Sequence, residues 1–122
     1  MAYEVALAPD STHVVVSVTG SITLPEVTDM VTAARALSDR SGVPILYDMS
    51  AATPGDVSKS DLFWMPRKMG VLNSPWARRV RVALLHPAEH AENARFWEDS
   101  FRNLGLDVKA FTERGDAIAW LQ

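Results

Sequence analysis

The stretch PILYDM, residues 44–49, decides the fold class of this chain. It is too short for a typical helix and too apolar for an exposed strand, so it predicts an interior strand of a parallel sheet with both faces covered. Asp48 lies near its end, and a loop rich in small and hydroxyl residues follows it. Parallel α/β sheets bind ligands where their strands end. The loop is therefore a candidate for a phosphorylation switch or a catalytic corner, and the alternative is the plain start of a helix.

Strands and helices alternate on both sides of this stretch. The apolar segments YEVALA and HVVVSVTG flank turn residues 9–11 and predict an N-terminal hairpin. Thr23, followed by Glu26, predicts the capped start of a helix that Gly42 ends. Pro66 should break the next helix, because proline lacks the backbone N–H and clashes one turn back. Further strands are predicted at RVRVALLH and DVKAFT, and helices at SKSDLFWMPRKMGVL, EHAENARFWEDSFRNLG and DAIAWL.

This order of elements predicts one α/β domain over residues 1–122. In it, the hairpin leads into a mostly parallel, mixed sheet of about five strands with about four helices. A chain of 122 residues can bury the core of such a domain without cross-links.

The composition excludes several classes of protein. The chain contains no cysteine, which excludes disulfides and thiolate metal sites. A net charge of −3 and a pI near 5.5 predict no general nucleic-acid binding, which needs a basic face. We find no apolar run of the roughly 20 residues that a bilayer span needs, and no signal-peptide pattern near the start. We therefore expect a cytoplasmic protein without a membrane span.

Three stretches carry a resemblance to a known family. LYDMS ends the interior strand, RRVRVALL follows the second helix, and VKAFTERGDAIAWL closes the chain. With the order of elements, they resemble the SpoIIAA-like branch of the STAS superfamily, bacterial relatives of the anti-sigma factor antagonists that are loosely linked with SEC14-type lipid-binding domains. The resemblance covers nearly the whole chain and implies a STAS-like domain with a non-enzymatic, regulatory role.

The resemblance also assigns a role to the loop after the interior strand. In phosphorylated antagonists an Asp-Ser-Ser-Gly corner carries the target serine, and this corner falls on DVSK, residues 56–59. Val57 stands where the target hydroxyl should be, so we predict no phosphoserine switch there. Ser58 is predicted instead to cap the next helix, with Asp61 three residues on. The candidate switch-loop residues are Asp48, Asp56 and Ser58.

Catalysis and metal binding are the weaker interpretations of the polar residues. Asp48 and His86 both follow predicted strands, and the hydroxyls of Ser50 and Thr53 lie nearby in sequence. No nucleophile elbow or glycine-rich phosphate loop accompanies them, so we predict no catalytic residue and no cofactor. His86 and His90 have a spacing that suits a shared helix face. Because Pro87 places the helix start between them, we predict no metal site.

The segment LFWMPRKMGVLNSPWARR, residues 62–79, contains more large apolar side chains than one helix face can bury. Aromatic residues, methionine and arginine are enriched at binding surfaces. The alternative is that most of them are core residues. The candidate interface or ligand-surface residues are Phe63, Trp64, Met65, Met69, Leu72 and Trp76.

Two functional classes stay open. The first is a non-enzymatic interaction module that docks on a protein partner or on itself, as a possible homodimer. The second is a carrier or sensor of a small apolar ligand, as the link with SEC14-type domains implies. An enzyme comes third.

Overall fold

The computed structural model of the chain describes residues 2–53 and 57–122. The strands within them are β1 at Tyr3–Leu7, β2 at Val14–Gly20, β3 at Ile45–Ala52, β4 at Arg81–Leu85 and β5 at Asp107–Phe111. The helices are α1 at Leu24–Ser41, α2 at Lys59–Lys68, α3 at Pro75–Arg79, α4 at Ala91–Arg102 and α5 at Arg114–Leu121. Short 3-10 turns at Gly70–Asn73 and Ala88–His90 precede α3 and α4.

The strands form one mixed sheet in the spatial order β1-β2-β3-β4-β5. β1 and β2 pair antiparallel, which confirms the predicted hairpin, and the remaining neighbours pair in parallel. In this register Tyr47 of β3 lies beside Val16 of β2 and Leu84 of β4. The predicted fold class, a hairpin leading into a mostly parallel sheet, is confirmed.

Side chains along each strand alternate between the two faces of the sheet. Tyr47 and Leu84 belong to the larger core, on the face packed against α1 to α4, which we call the four-helix face. Leu46 and Ala83 belong to the smaller core on the opposite face, where Ala117 of α5 packs against them. β3 is therefore buried on both faces, as its apolar sequence predicts.

The first long helix has the predicted ends. Thr23 and Glu26 form a capping box, in which the Glu26 carboxylate accepts the Thr23 backbone N–H at 3.0 Å. Gly42 ends α1 in the left-handed conformation, with φ of 69°. One face of α1 is buried against the sheet by Val27, Met30, Val31, Ala34, Arg35 and Ser38.

The predicted break at Pro66 is wrong in its position. α2 continues through Pro66 to Lys68 and ends at Met69, whose N–H bonds to the Pro66 carbonyl at 3.4 Å. Leu62, Met65 and Pro66 are all buried, and this packing offsets the hydrogen bond that proline removes. The rest of the predicted helix is divided into a 3-10 turn and the short helix α3. The described residues thus contain the four predicted helices and the additional five-residue α3.

Ser38 connects the end of α1 to α3. Its side chain is fully buried. Its hydroxyl donates to the backbone carbonyl of Val43 and accepts the indole N–H of Trp76, at 2.9 Å. One hydroxyl therefore satisfies a donor and an acceptor from two other segments.

We expect Ser38→Ala to lower the free energy of unfolding by about 1 to 3 kcal/mol, because it leaves the Trp76 N–H and the Val43 carbonyl without their partner. Chemical denaturation measures the loss. Ser41, an exposed serine in the last turn of the same helix, provides the control: Ser41→Ala should change stability by less than about 0.5 kcal/mol. Equal losses in the two variants would contradict the bridging role of Ser38.

Candidate functional site

A cavity of about 70 Å³ lies between the four-helix face of the sheet and the helices that cover it. A single water molecule needs roughly 10–15 Å³ by such a measure, so the space exceeds a packing defect. Most of its lining is apolar. The main wall residues are Met30 and Val31 of α1, Val82 and Leu84 of β4, and Trp97 and Phe101 of α4.

The α4 wall of the cavity is aromatic. The rings of Trp97 and Phe101 are stacked, with centroids 5.9 Å apart and planes within 4° of parallel. Both residues are buried. Both also line the cavity, so this part of its wall is aromatic and apolar, which suits an aliphatic or aromatic ligand.

Six polar residues also line the cavity: Arg35, Tyr47, Thr53, His86, His90 and Asn93. They lie at different depths. Thr53 follows β3 and is exposed, while His90 and Asn93 at the start of α4 are half-buried. The cavity therefore opens at the carboxyl end of the parallel strands, and we call this end the mouth.

Arg35 lies away from the mouth and is only 3% exposed. Its Nη1 donates to the backbone carbonyl of Ala77 at 3.4 Å, and its buried Nε has no hydrogen-bond partner among the described residues. No described acidic side chain forms an ion pair with it. Burial lowers the pKa of Arg35, yet a guanidinium remains charged in proteins. A buried, unpaired charge of this kind is costly for the fold.

Tyr47 lines the same cavity from β3 and is 6% exposed. Burial raises the pKa of its phenol, and the positive charge of Arg35 offsets part of that rise. The hydroxyl therefore stays protonated near neutral pH and can donate a hydrogen bond.

His86 lies at the mouth, just after β4. Its Nδ1 is 2.8 Å from the backbone carbonyl of Pro87. A carbonyl oxygen can only accept, so Nδ1 carries a proton and donates this hydrogen bond.

The structure separates Asp48 from His86. Asp48 lies on the face of the sheet that α5 covers, where its carboxylate accepts the Ser50 N–H at 3.0 Å and forms an ion pair with Arg114. His86 lines the cavity on the four-helix face. Asp48, Ser50 and His86 thus do not meet in one catalytic centre. Burial acts to raise the pKa of Asp48, but the bonds from Ser50 and the charge of Arg114 outweigh it and lower that pKa.

The loop after β3 shows a helix cap. The Ser58 hydroxyl accepts the Asp61 N–H at 3.1 Å, which confirms Ser58 as the N-cap of α2. Val57 lines the cavity. Asp56, the remaining candidate of the switch loop, lies outside the described residues.

His86 and His90 lie on either side of Pro87, as predicted. His86 follows β4, and His90 immediately precedes α4. Both line the cavity. The part of the chain that the structure describes contains no cluster of three or more His, Asp or Glu side chains that could hold a metal ion.

The predicted surface segment is divided between core and surface. Met65, Met69 and Leu72 are buried in the larger core, and the half-buried Trp76 packs against the same core. Phe63 and Trp64 are exposed, at 38% and 53%. Their rings make an edge contact with centroids 5.0 Å apart, and the guanidinium of Arg67 lies 3.8 Å from the centre of the Phe63 ring. The exposed part of the predicted surface is thus this aromatic pair.

The sequence interpretation missed Arg35 and Tyr47. One signal for Arg35 was present: it lies four residues after Val31, on the apolar stripe of α1, where a charged residue is out of place. Tyr47 gave no such signal, because an aromatic residue within an interior strand is ordinary.

A model of the SpoIIAA-like family matches residues 13–122. The chain belongs to the SpoIIAA-like family. This result confirms the family predicted from the sequence. Among solved structures, the SpoIIAA-like chain resembles an uncharacterized protein of the DUF3478 family with a SpoIIAA-like fold, from Shewanella loihica PV-4. The TM-score is 0.58 at 19% identity, over 99% of this chain and 93% of the other, a likeness of fold alone.

No curated protein matches the SpoIIAA-like chain. Among residues 2–53 and 57–122, no helix has the length and apolar character needed to cross a bilayer. The family match places this chain among the STAS/SpoIIAA-like domains.

We expect Asp48→Asn to lower the free energy of unfolding at pH 7 by about 0.5 to 1 kcal/mol, since Arg114 is half exposed and solvent screens the pair. The carboxylate has a lowered pKa in the folded state, so its contribution is complete above about pH 4 and is lost as the pH falls through the folded pKa. The free energies of unfolding of the natural protein and of Asp48→Asn should therefore approach each other in acid. Urea denaturation at pH 7 and pH 2.5 measures both effects.

Asp107 provides the control for this experiment. Its carboxylate is 3.9 Å from Arg81 Nε, and both side chains are 47% exposed. Asp107→Asn should change stability very little at either pH. A stability gap for Asp48→Asn that persists undiminished at pH 2.5 would contradict the assigned ion pair.

Proposed function

We propose that this SpoIIAA-like chain is a non-enzymatic module that binds a small apolar ligand in the cavity on the four-helix face. The observation that carries the proposal is the cavity itself, apolar along its walls with a few polar side chains at its two ends. Ligand pockets typically combine an apolar lining with a few placed polar groups that fix orientation. The position of the mouth, at the carboxyl ends of parallel strands, is where α/β sheets bind ligands.

The polar residues of the cavity support binding rather than catalysis. His86 is held by a bond to a backbone carbonyl, and no described hydroxyl is paired with its ring. Asp48 pairs in register with Leu85, the residue before His86, but its side chain lies on the other face of the sheet and forms an ion pair with Arg114. A nucleophile with an adjacent base is therefore not assembled among the described residues.

We expect Ala94→Phe to abolish the binding of 1-octanol, a small apolar probe. Ala94 lines the cavity from α4 and is 6% exposed, so a phenyl ring at this position fills the space. Methyl NMR spectra of the intact chain, titrated with 1-octanol, should show shifts at Val82, Leu84 and Val108 in the natural protein. The same methyl groups should not respond to 1-octanol in the filled variant.

Ala33→Phe is the control, because Ala33 is exposed on α1. It should leave the octanol shifts unchanged. Overpacking costs about 1 to 3 kcal/mol, so a melting curve must first show that the Ala94 variant is folded. Ala94→Leu, which adds less volume, should weaken binding in part. If saturating 1-octanol shifts none of the cavity methyl signals of the natural protein, the proposed function is refuted.

A second candidate function is docking on a protein partner or on a second copy of the chain. The exposed pair of Phe63 and Trp64 supports it, since exposed aromatic side chains beside an arginine are typical of interface centres. Leu62, the preceding residue of α2, lines the cavity. The same short helix thus contacts both the proposed ligand and the proposed partner, an arrangement that suits a regulatory module.

This regulation would not use a phosphoserine switch. Val57 offers no hydroxyl, and the Ser58 hydroxyl is engaged as the helix cap. The net charge of −3 likewise supports a protein or small-molecule partner over a nucleic acid.

We expect Trp64→Ala to weaken self-association or partner binding by about 2 kcal/mol or more, as loss of an interface-centre tryptophan does. Its effect on the free energy of unfolding should stay below about 1 kcal/mol, because half of the side chain is already exposed. Sedimentation over a range of concentrations measures association, and thermal melts measure stability.

Leu7, 39% exposed on the edge strand β1, offers a comparison. Leu7→Ala removes an exposed apolar side chain far along the sheet from α2 and should not alter association. Normal association of Trp64→Ala, together with a large loss of stability, would assign Trp64 to the core and end this candidate.

A further inference from the structure

Arg35 is the feature of the cavity that an apolar ligand alone leaves unexplained. An apolar cavity does not need a cation, and burying one is unfavourable unless an anion and hydrogen bonds compensate it. We propose that the ligand carries a carboxylate, bound at the deep end of the cavity by Arg35 and Tyr47. This inference rests on the proposed function and specifies the chemical class of its ligand.

The hydrogen bonds of Arg35 leave one edge of its guanidinium available. Nη1 donates to the Ala77 carbonyl, while Nε has no partner among the described residues, and no bond from Nη2 to a described residue is present. The Nε–Nη2 edge is a planar fork that matches the two oxygens of a carboxylate. Arg35 lines the cavity, so a carboxylate bound there supplies the missing acceptors and the missing charge.

Tyr47 provides a second donor on the sheet side. It and Arg35 both line the cavity and are both buried. A phenol that stays protonated donates to a carboxylate oxygen without adding charge. Arg35 and Tyr47 thus offer one cation and one neutral donor, which suits a monoanion.

The depth of Arg35 determines the orientation of the ligand. α1 starts near the carboxyl end of β2 and returns antiparallel to the strands, so Arg35, eleven residues after Leu24, lies about 16 Å below the helix start. The apolar walls lie between this point and the mouth. A ligand with its carboxylate on Arg35 therefore extends an apolar chain or ring past Trp97 and Leu84 toward the mouth.

A carboxylate fits better than a phosphate. A phosphate monoester carries close to two negative charges and accepts several hydrogen bonds. Arg35 is the only arginine or lysine among the described residues that line the cavity. The cavity volume of about 70 Å³ also favours a compact head group. The ligand class is thus a small aliphatic or aromatic monocarboxylic acid.

The test compares octanoate with 1-octanol, which have the same chain length and differ at the head group. Calorimetric titration of the intact chain should show that octanoate binds about tenfold tighter or more, as expected for hydrogen bonds to a charged group. Octylammonium should bind more weakly than 1-octanol, because its charge repels Arg35. Both comparisons use the natural protein and do not depend on any variant folding.

Arg35→Met removes the charge and keeps an apolar side chain of similar reach. It should abolish the preference for octanoate and retain the binding of 1-octanol. Arg40→Met, an exposed arginine on the last turn of the same helix, should leave both affinities unchanged. Tyr47→Phe should lower the affinity for octanoate a few-fold and leave the affinity for 1-octanol unchanged.

Each failure has a distinct meaning. Equal binding of octanoate and 1-octanol by the natural protein would overturn the carboxylate inference and leave the apolar-ligand function intact. No binding of either probe would overturn both.

Asp56→Asn should not change the affinity for octanoate. A rise in that affinity would identify Asp56 as an internal partner of Arg35 and overturn the inference.

Discussion

The packing of β3 at the centre of the sheet is the constraint on which the rest of the structure depends. Leu46 and Tyr47 are adjacent in sequence and buried in different cores. Because side chains alternate along a strand, a shift of one residue in register would exchange the two sets of buried side chains between the faces. The parallel pairing of β3 with β2 and β4 therefore fixes both cores at once. The helices can pack only against the apolar side chains that this pairing places on each face of the sheet.

The same alternation separates two polar groups that are adjacent in the sequence. Asp48 emerges toward α5 and pairs with the half-exposed Arg114, in a setting where solvent weakens the interaction. Tyr47 lines the cavity together with the buried Arg35, in a setting where charge is costly and hydrogen bonds are strong. A surface ion pair thus has a structural role, whereas the buried cation points to a ligand. The functional centre that we infer is the cavity beneath the strand end, and the loop after β3 contributes the cap of α2.

Local sequence signals succeeded where neighbouring residues decide the structure. The capping box of Thr23 and Glu26 and the N-cap at Ser58 involve residues within one helical turn, so their hydrogen bonds follow from sequence spacing. Pro66 shows where a local rule fails. Its missing N–H predicted a break, but the burial of Leu62 and Met65 stabilises the helix through Lys68. Packing against the core outweighed a local preference, as it commonly does for short helices.

The sequence by itself determined the α/β class, the hairpin and the interior strand, because apolar periodicity and helix caps reflect local geometry. The resemblance of three stretches to SpoIIAA-like sequences indicated the family, which the family model confirms. It also identified a segment with surplus aromatic residues, but not which of them are exposed. Only the tertiary structure placed Met65 in the core and Trp64 at the surface. Likewise, only the tertiary structure brought Arg35 and Trp97, which are far apart in the chain, to one cavity. The physical reason is that a cavity forms between elements, and its lining depends on how the crossover helices lie across the sheet.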